Sequence, residues 1–113
     1  MAWRNSRKNK FGVSSKADRT MDNIVFDSKK EMMRYAELKA LQEAGEIYGM
    51  RMQPRFDVVV NEKFICFYKA DFWYECSDGS GAVVEDVKGM RTPIYKLKKK
   101  LVEAIHGIEI TEI

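Results

Sequence analysis

The sequence contains few of the residues that build disulfide scaffolds and transition-metal sites. It has two cysteines, Cys66 and Cys76, within apparent strands, and one histidine, His106, far from both. Two cysteines and a remote histidine do not provide the ligand spacing of a zinc site, and they are too few for a disulfide framework. We interpret both cysteines as small buried hydrophobic residues.

Long apolar segments are absent as well. No uncharged run is long enough to span a bilayer, and the basic start leads into Phe11–Ser15 instead of the apolar segment of a signal peptide. We therefore expect a cytoplasmic protein without a membrane partner or a small-molecule cofactor. The chain has 113 residues, 33% of them charged. This length suits about one domain, so one site must carry the function.

Basic residues are concentrated in two segments. Residues 1–20 contain six Lys or Arg residues against one acid, Asp18, a net charge of +5, while the rest of the chain has a net charge of −2. The second segment, Lys88–Lys100, contains six basic residues and no acid. Two basic segments indicate a polyanionic partner such as nucleic acid, although a flexible tail and a solvated helix face would give the same pattern.

Local signals predict where the folded domain and its helices begin and end. Residues 1–22 are polar with little apolar periodicity, which predicts a flexible basic arm, followed by a folded domain over 23–113. A capping box at Ser28–Glu31 and a stop at Gly45 predict a helix over 28–44. Thr92 and Pro93 start a second helix, which Gly107 ends. Its apolar residues should face the core, and they are Ile94, Leu97, Leu101 and Ile105.

Extended segments fill the chain between and after the helices. Residues 47–60, interrupted near Pro54, residues 64–76 and residues 82–88 are rich in aromatic and branched side chains, and turn residues separate them. Residues 108–113 form a last short strand. The order is therefore α, β, β, β, α, β, which predicts an α/β fold with a helix on each side or at each end of the sheet.

The second hairpin brings carboxylates together. If Asp78 and Gly79 form a two-residue type I′ turn, the numbers of opposed residues sum to 157, and Asp71 lies opposite Asp86. Lys88 shares the face of Asp86 because side chains alternate along a strand. Opposed carboxylates repel, and a bound Mg²⁺ or Mn²⁺ would offset that cost. There are two alternatives to a metal site. Asp71 forms an ordinary salt bridge with Lys69 or Lys88, or the strand register shifts at Gly81.

The first helix supplies a third acidic candidate. Glu31 shares a helical face with Tyr35 and Leu38, so it points towards the sheet if Leu38 packs there. The competing role is a reciprocal capping bond to the backbone of Ser28.

These residues carry a resemblance to a known superfamily. Four blocks, Phe26–Glu31, Gln53–Phe56, Ala70–Phe72 and Val84–Gly89, resemble the PD-(D/E)XK nucleases, in particular small phage-encoded endonucleases that are Holliday-junction-resolvase-like. Ala70 replaces the proline that names the superfamily. The resemblance implies a restriction-endonuclease-like αβββαβ core with a mixed central sheet flanked by helices.

The resemblance also implies the site. Glu31, Asp71, Asp86 and Lys88 would be catalytic, and the three carboxylates with the main chain of Val87 would hold Mg²⁺, or Mn²⁺ in its place. Gln53 is a further possible site residue, or it only forms strand hydrogen bonds. The DNA backbone would be bound by the following basic residues: Arg4, Arg7, Lys8, Lys10, Lys29, Lys69, Arg91, Lys96, Lys98, Lys99 and Lys100.

The implied activity is Mg²⁺-dependent hydrolysis of DNA phosphodiester bonds. The resemblance implies a homodimer that selects branched DNA such as Holliday junctions in phage recombination or DNA processing, in the host cytoplasm. Two alternatives stay open. One is a nuclease of the same fold with another substrate, for nicking, restriction-like or transposition-related cleavage. The other is a non-catalytic basic DNA-binding accessory protein.

Overall fold

The computed structural model describes residues 14–87 and 90–113, and contacts within the chain divide it into two units, residues 1–40 and 41–113. Helix α1 begins in the first unit and ends in the second. The elements are a 3₁₀ turn at Ala17–Arg19, β1 at Thr20–Met21, β2 at Ile24–Val25, α1 at Lys29–Glu43, β3 at Ile47–Met52, β4 at Arg55–Val60, β5 at Lys63–Lys69, β6 at Phe72–Cys76, β7 at Gly81–Asp86, α2 at Pro93–His106 and β8 at Ile110–Glu112. Within the described ranges, neither helix is long and apolar enough to cross a membrane.

A small hairpin, β1 and β2, precedes the first helix. Its two turn residues, Asp22 and Asn23, have φ angles of 52° and 63°, as a type I′ turn requires. The carboxylate of Asp22 accepts hydrogen bonds from the Tyr35 hydroxyl at 2.8 Å and the Lys39 ammonium at 2.6 Å. The boundary that the sequence predicts at residues 22–23 therefore lies inside this turn, while residues 1–13 of the predicted arm lie outside the described residues.

Helix α1 has the two end signals that the sequence predicts. The Ser28 hydroxyl oxygen accepts the Glu31 amide at 3.0 Å and so caps the first turn. Gly45 adopts φ 81°, and its amide and that of Glu46 donate to carbonyls of the last turn at 3.0 and 2.9 Å. Such a left-handed residue with two reversed bonds ends a helix. The predicted helix over 28–44 is confirmed to within one residue at each end.

The main sheet lies in the second unit and has the strand order β3-β6-β7-β8. The first three strands are antiparallel and β8 is parallel to β7, so the sheet is mixed. Strands β4 and β5 form a separate antiparallel ribbon. The predicted α/β class with a mixed sheet is confirmed.

Two predicted extended segments each break in the middle, which divides the sheet from the ribbon. One break falls at Gln53–Pro54 and the other at Ala70–Asp71. Two backbone bonds bridge the breaks, from the Gln53 amide to the Asp71 carbonyl at 2.9 Å and from the Ala70 amide to the Pro54 carbonyl at 3.1 Å. The two segments thus stay paired through the bend, and Asp71 lies at the bend, directly before the first residue of β6.

The two hairpins have different turns, and only the second differs from the prediction. Asn61 and Glu62 have φ angles of 49° and 66° and form the type I′ turn of the ribbon. The type I′ turn predicted at Asp78–Gly79 is wrong, because a four-residue loop joins Cys76 to Gly81 and the Asp78 carboxylate accepts the Ser80 amide at 2.8 Å. The predicted register is nevertheless confirmed, with paired numbers summing to 157 from Cys76–Gly81 to Phe72–Glu85.

Helix α2 has the predicted ends but buries a different face. The Thr92 hydroxyl accepts the Tyr95 amide at 3.1 Å, Pro93 is the first residue and Gly107 ends the helix with φ 65°. The prediction that Ile94, Leu97, Leu101 and Ile105 face the core is wrong for three of them, because Ile94 is 60% exposed, Leu97 54% and Ile105 42%. Leu101 is half-buried.

The core of the second unit shows which face of α2 is buried. Tyr95 and Val102, one heptad apart, are the buried residues of the helix. They belong to a cluster that joins the sheet, the ribbon and the helix, formed by Val58, Tyr68, Ala70, Val84, Tyr95, Val102 and Ile110. The helix has two apolar stripes, and the stripe that contains Tyr95 and Val102 is buried. The buried Tyr95 ring keeps a hydrogen-bond partner, because its hydroxyl donates to Glu112.

Candidate active site

Two consecutive acidic residues are buried where β7 ends. Glu85 is 1% exposed and Asp86 is 0% exposed. The hydroxyl of Tyr74 on β6 donates a hydrogen bond to Glu85, and the hydroxyl of Tyr68 on β5 donates one to Asp86. Because side chains alternate along a strand, the two carboxylates lie on opposite faces of the sheet. A buried carboxylate is costly without such donors.

Asp71 lies at the bend just before β6, next to both neighbours of Asp86. Its amide donates to the Glu85 carbonyl at 3.0 Å, and its Oδ2 accepts the Val87 amide at 2.7 Å. The pairing of β6 with β7 begins at Phe72, the first residue of β6, which lies opposite Glu85. Asp71 therefore does not occupy the directly opposed position predicted for it. Instead, backbone groups hold its carboxylate beside Asp86. Gly81 pairs regularly with Cys76, so the register does not shift there.

Gln53 lies beside Asp71 at the bend. Its amide donates to the Asp71 carbonyl at 2.9 Å, and its φ angle of 53° is left-handed. Such a conformation costs a residue with a side chain about 1–3 kcal/mol and is enriched at functional sites. No local sequence signal predicts this left-handed conformation, because the path of the chain through the bend imposes it.

A further carboxylate next to Asp86 was missed by the sequence analysis. Glu112 pairs with Asp86 across the parallel strands β7 and β8. The Tyr95 hydroxyl donates to Glu112 at 2.6 Å, and the Arg91 guanidinium lies 2.8 Å from its other oxygen. Nothing in the local sequence reveals this proximity, because it depends on the register of a three-residue parallel strand.

The environment shifts the pKa of both members of the Tyr95–Glu112 pair. Burial, followed by the hydrogen bond to Glu112 and the nearby charge of Asp86, raises the pKa of the Tyr95 phenol well above its ordinary value. The Tyr95 hydrogen bond, together with Lys99 and Arg91, lowers the pKa of the Glu112 carboxyl below its ordinary value of 4.5. At neutral pH the pair therefore consists of a neutral phenol donating to a charged carboxylate.

The basic residues of α2 fall into two groups. Lys96 and Lys100 are exposed and make no ion pair with any residue of the described ranges. Lys99 lies 3.7 Å from Glu112, and the Lys98 ammonium donates to the Phe67 carbonyl at 3.2 Å. Lys29 and Lys69 are also exposed, whereas four further predicted DNA contacts, Arg4, Arg7, Lys8 and Lys10, lie outside the described residues.

The structure brings together part of the predicted catalytic set. Asp71, Asp86 and Val87 are neighbours in the second unit. Glu31 belongs to the first unit, where it is 6% exposed and its amide is bonded to Ser28. Lys88 lies outside the described residues.

The donor chemistry of Asp71, Asp86 and the Val87 carbonyl fits Mg²⁺, because all three offer the hard oxygen atoms that this ion prefers. Within residues 14–87 and 90–113, no group of three or more His, Cys, Asp or Glu side chains lies close enough together to hold a metal ion. Mg²⁺ in phosphate-processing sites commonly uses one or two carboxylates, with water and substrate phosphate filling the remaining positions. Two neighbouring aspartates therefore suffice for such an ion.

Comparison with known proteins places the chain in a family. A family model described as "Protein of unknown function (DUF1064)" matches residues 14–110. The chain belongs to this family. The match covers Glu31, Asp71, Asp86, Val87 and Lys88, and its description names no activity. No curated protein and no solved structure matches the chain.

Proposed function

We propose that the chain is an Mg²⁺-dependent DNA endonuclease with a PD-(D/E)XK core, selective for branched DNA. The observation that carries the proposal is the position of two aspartates at neighbouring strand ends, Asp71 held by the Val87 amide and Asp86 by the Tyr68 hydroxyl. Two carboxylates held at neighbouring strand ends offer the hard oxygen atoms that a divalent cation prefers.

Each residue of the proposed site has a separate role. Asp71 and Asp86, with the Val87 carbonyl, would hold the ion. The sequence resemblance predicts Glu31 as a further ligand, directly or through water. Mg²⁺, when bound, lowers the pKa of a coordinated water and neutralises charge that develops on the phosphate. Lys88, which follows Val87 in the sequence, would orient the attacking water or accept its proton and then stabilise the charged transition state.

The proposed reaction is hydrolysis of one phosphodiester bond. The water oxygen forms a bond to phosphorus while the bond between phosphorus and one bridging oxygen breaks. The water proton passes to the base, and the departing sugar oxygen takes up a proton. Neither an oxidant nor a reductant is needed, so the proposed residues and a hydrated ion account for the chemistry.

Affinity for DNA would come from the exposed lysines of α2. Lys96 and Lys100 have ammonium groups that are available to phosphates, and phosphate contacts give affinity without reading sequence. Lys29, Lys69 and the basic residues of the N-terminal segment would extend this contact. Selection among DNA structures would then depend on their shape.

A homodimer fits cleavage of two symmetric strands. Ile94, Leu97 and Ile105 form an exposed apolar stripe of α2, and exposed apolar surface is one mark of a protein–protein contact. We infer that a second copy of the chain covers it, because one helix stripe packing on its own copy gives the self-complementary contact of a two-fold dimer.

A cleavage assay on a panel of DNA structures tests the proposal. Four-way junction, fork, nicked duplex, duplex and single-stranded DNA are incubated with the protein in Mg²⁺ or in EDTA. We expect the junction to be cut fastest, and only in Mg²⁺. Faster cutting of another structure would favour the same nuclease with a different substrate. Binding without cutting of any structure would favour a non-catalytic DNA-binding protein and would contradict the proposal.

A further inference from the structure

Tyr68 and Asp86 connect the ribbon to the main sheet inside the second unit. Tyr68 lies on β5 and is 6% exposed, whereas Asp86 lies on β7 and is 0% exposed. The hydroxyl of Tyr68 donates to Oδ2 of Asp86. The ring of Tyr68 also packs against Tyr95, with ring centroids 6.2 Å apart. The hydroxyl therefore has a fixed position from which to direct the carboxylate.

We propose that Tyr68 is a positioning residue for Asp86, whose hydroxyl sets the orientation in which the carboxylate binds a divalent cation. This inference rests on the proposed function. A carboxylate can accept about four hydrogen bonds, so one bond from a phenol orients the group and leaves capacity for a cation. Partners that orient metal-binding carboxylates in this way typically contribute 10–100-fold to metal affinity or activity.

The protein contains a matched comparison for this bond. One residue before Asp86, the buried carboxylate of Glu85 accepts a hydrogen bond from the buried hydroxyl of Tyr74. Tyr74 is 7% exposed, almost the same as Tyr68. Both pairs have the same chemistry and the same depth, but Glu85 lies on the other face of β7 and has no role in the proposed cation site. Loss of the Tyr74 hydroxyl should therefore affect folding only.

The experiment compares Tyr68→Phe with Tyr74→Phe, using the full chain. The first readout is the rise in Tm of the DNA-free protein during a titration with Mg²⁺, and the second is the Mg²⁺ concentration for half-maximal junction cleavage. We expect both variants to melt at a similarly lower temperature. Tyr68→Phe should raise the half-saturating Mg²⁺ concentration about 10–100-fold in both readouts, while Tyr74→Phe should leave it unchanged.

A rescue variant covers the case in which Tyr68→Phe does not fold. Replacing Tyr68 by 4-aminophenylalanine keeps the ring and an N–H donor, so this variant should bind Mg²⁺ like the original chain. A raised Mg²⁺ requirement in a folded rescue variant would count against the inference.

The outcomes separate this inference from the proposed function. If Tyr68→Phe needs no more Mg²⁺ than the original chain while Asp86→Asn is inactive, the positioning role is wrong and the nuclease proposal stands. An equal effect of both phenylalanine variants would mean a general loss of stability and would also overturn the role. If the original chain shows neither Mg²⁺-dependent stabilisation nor cleavage, the proposed function itself fails.

Discussion

The amide of Val87 donates a 2.7 Å hydrogen bond to the carboxylate of Asp71. This bond joins the bend before β6 to the residue after β7, and it encloses Asp86 between two contacts of Asp71, because the Asp71 amide also bonds to the Glu85 carbonyl. The Val87 amide holds the Asp71 carboxylate, and the Tyr68 hydroxyl holds the Asp86 carboxylate. Two carboxylates are thus positioned before any ligand binds, which is what an efficient cation site requires.

Glu31 has two candidate roles, which Glu31→Gln distinguishes. If it closes a capping box, the amide oxygen of glutamine replaces it, and stability falls by no more than about 1 kcal/mol. If it binds the cation, loss of its charge depresses cleavage by orders of magnitude at low Mg²⁺, with recovery at high Mg²⁺ or in Mn²⁺. We expect the second result in a cleavage assay across a Mg²⁺ titration.

The matched control for Glu31 is Ser28→Ala. It removes the hydroxyl that accepts the Glu31 amide at 3.0 Å and should lower the free energy of unfolding by about 0.5–2 kcal/mol without changing the Mg²⁺ requirement. Unchanged cleavage by Glu31→Gln at every Mg²⁺ concentration would remove Glu31 from the site.

The two groups of α2 lysines predict different salt dependences. Replacing Lys96 and Lys100 by glutamine should reduce the slope of log affinity against log salt by about 1.8, because each phosphate contact contributes about 0.9. Replacing Lys98 and Lys99, which have partners within the protein, removes the same charge but should change the slope less. Fluorescence anisotropy with duplex DNA measures both slopes, and equal slopes in the two variants would show that the exposed pair has no special role.

The Glu112 carboxyl makes stability depend on acidic pH. Its pKa is lowered in the folded state by the Tyr95 hydrogen bond, so its contribution is present above the ordinary value of 4.5 and is lost as pH falls through the lowered pKa. Urea unfolding should show Glu112→Gln less stable than the original chain at pH 7, with the difference shrinking at lower pH. Glu109→Gln, at an exposed neighbouring position, is the control for the loss of a surface carboxylate. Parallel pH profiles for Glu112→Gln and the original chain would contradict this reading.

The exposed stripe of α2 predicts a dimer that one substitution disrupts. Light scattering should give the original chain twice its 13.2 kDa mass, and Leu97→Gln should shift it towards the monomer. Ile65→Gln on the ribbon is the control, because Ile65 is 53% exposed and Leu97 is 54% exposed. A monomeric original chain, or a dimer that survives Leu97→Gln, would place the interface elsewhere or exclude it.

The helices could be predicted closely because their ends are encoded locally. The residues at the helix ends form hydrogen bonds with residues a few positions away, and they are Ser28, Gly45, Thr92 and Gly107. The buried face of α2 could not be predicted, because the helix has two apolar stripes and only contacts with distant strands distinguish them. The hairpin register was predicted from an assumed two-residue turn at Asp78–Gly79. It is correct because the observed four-residue loop has the same centre, although the turn type differs.

The two aspartates of the candidate site could be identified from the sequence, but the residues that contact them could not. Asp71 and Asp86 were identified from an expected register that holds up to Phe72–Glu85. Tyr68 on the ribbon contacts Asp86 on the main sheet, and two chain breaks separate the ribbon from the sheet. The break near Pro54 was predicted from the sequence, whereas the break at Ala70–Asp71 was not. Glu112 needs the parallel pairing of β8, a contact between segments separated by a helix.

The comparison of Asp86→Asn with Glu85→Gln is the most direct test of the proposal that Asp86 binds the Mg²⁺ needed for cleavage. Both substitutions remove the charge of a buried carboxylate that accepts a tyrosine hydroxyl, at consecutive positions of one strand. Junction cleavage is measured across a Mg²⁺ titration, and junction binding is measured in parallel. We expect Asp86→Asn to bind the junction but to lose Mg²⁺-dependent cleavage by orders of magnitude. Glu85→Gln should cut the junction with the original Mg²⁺ dependence. Cleavage by Asp86→Asn at the original rate would contradict the proposal.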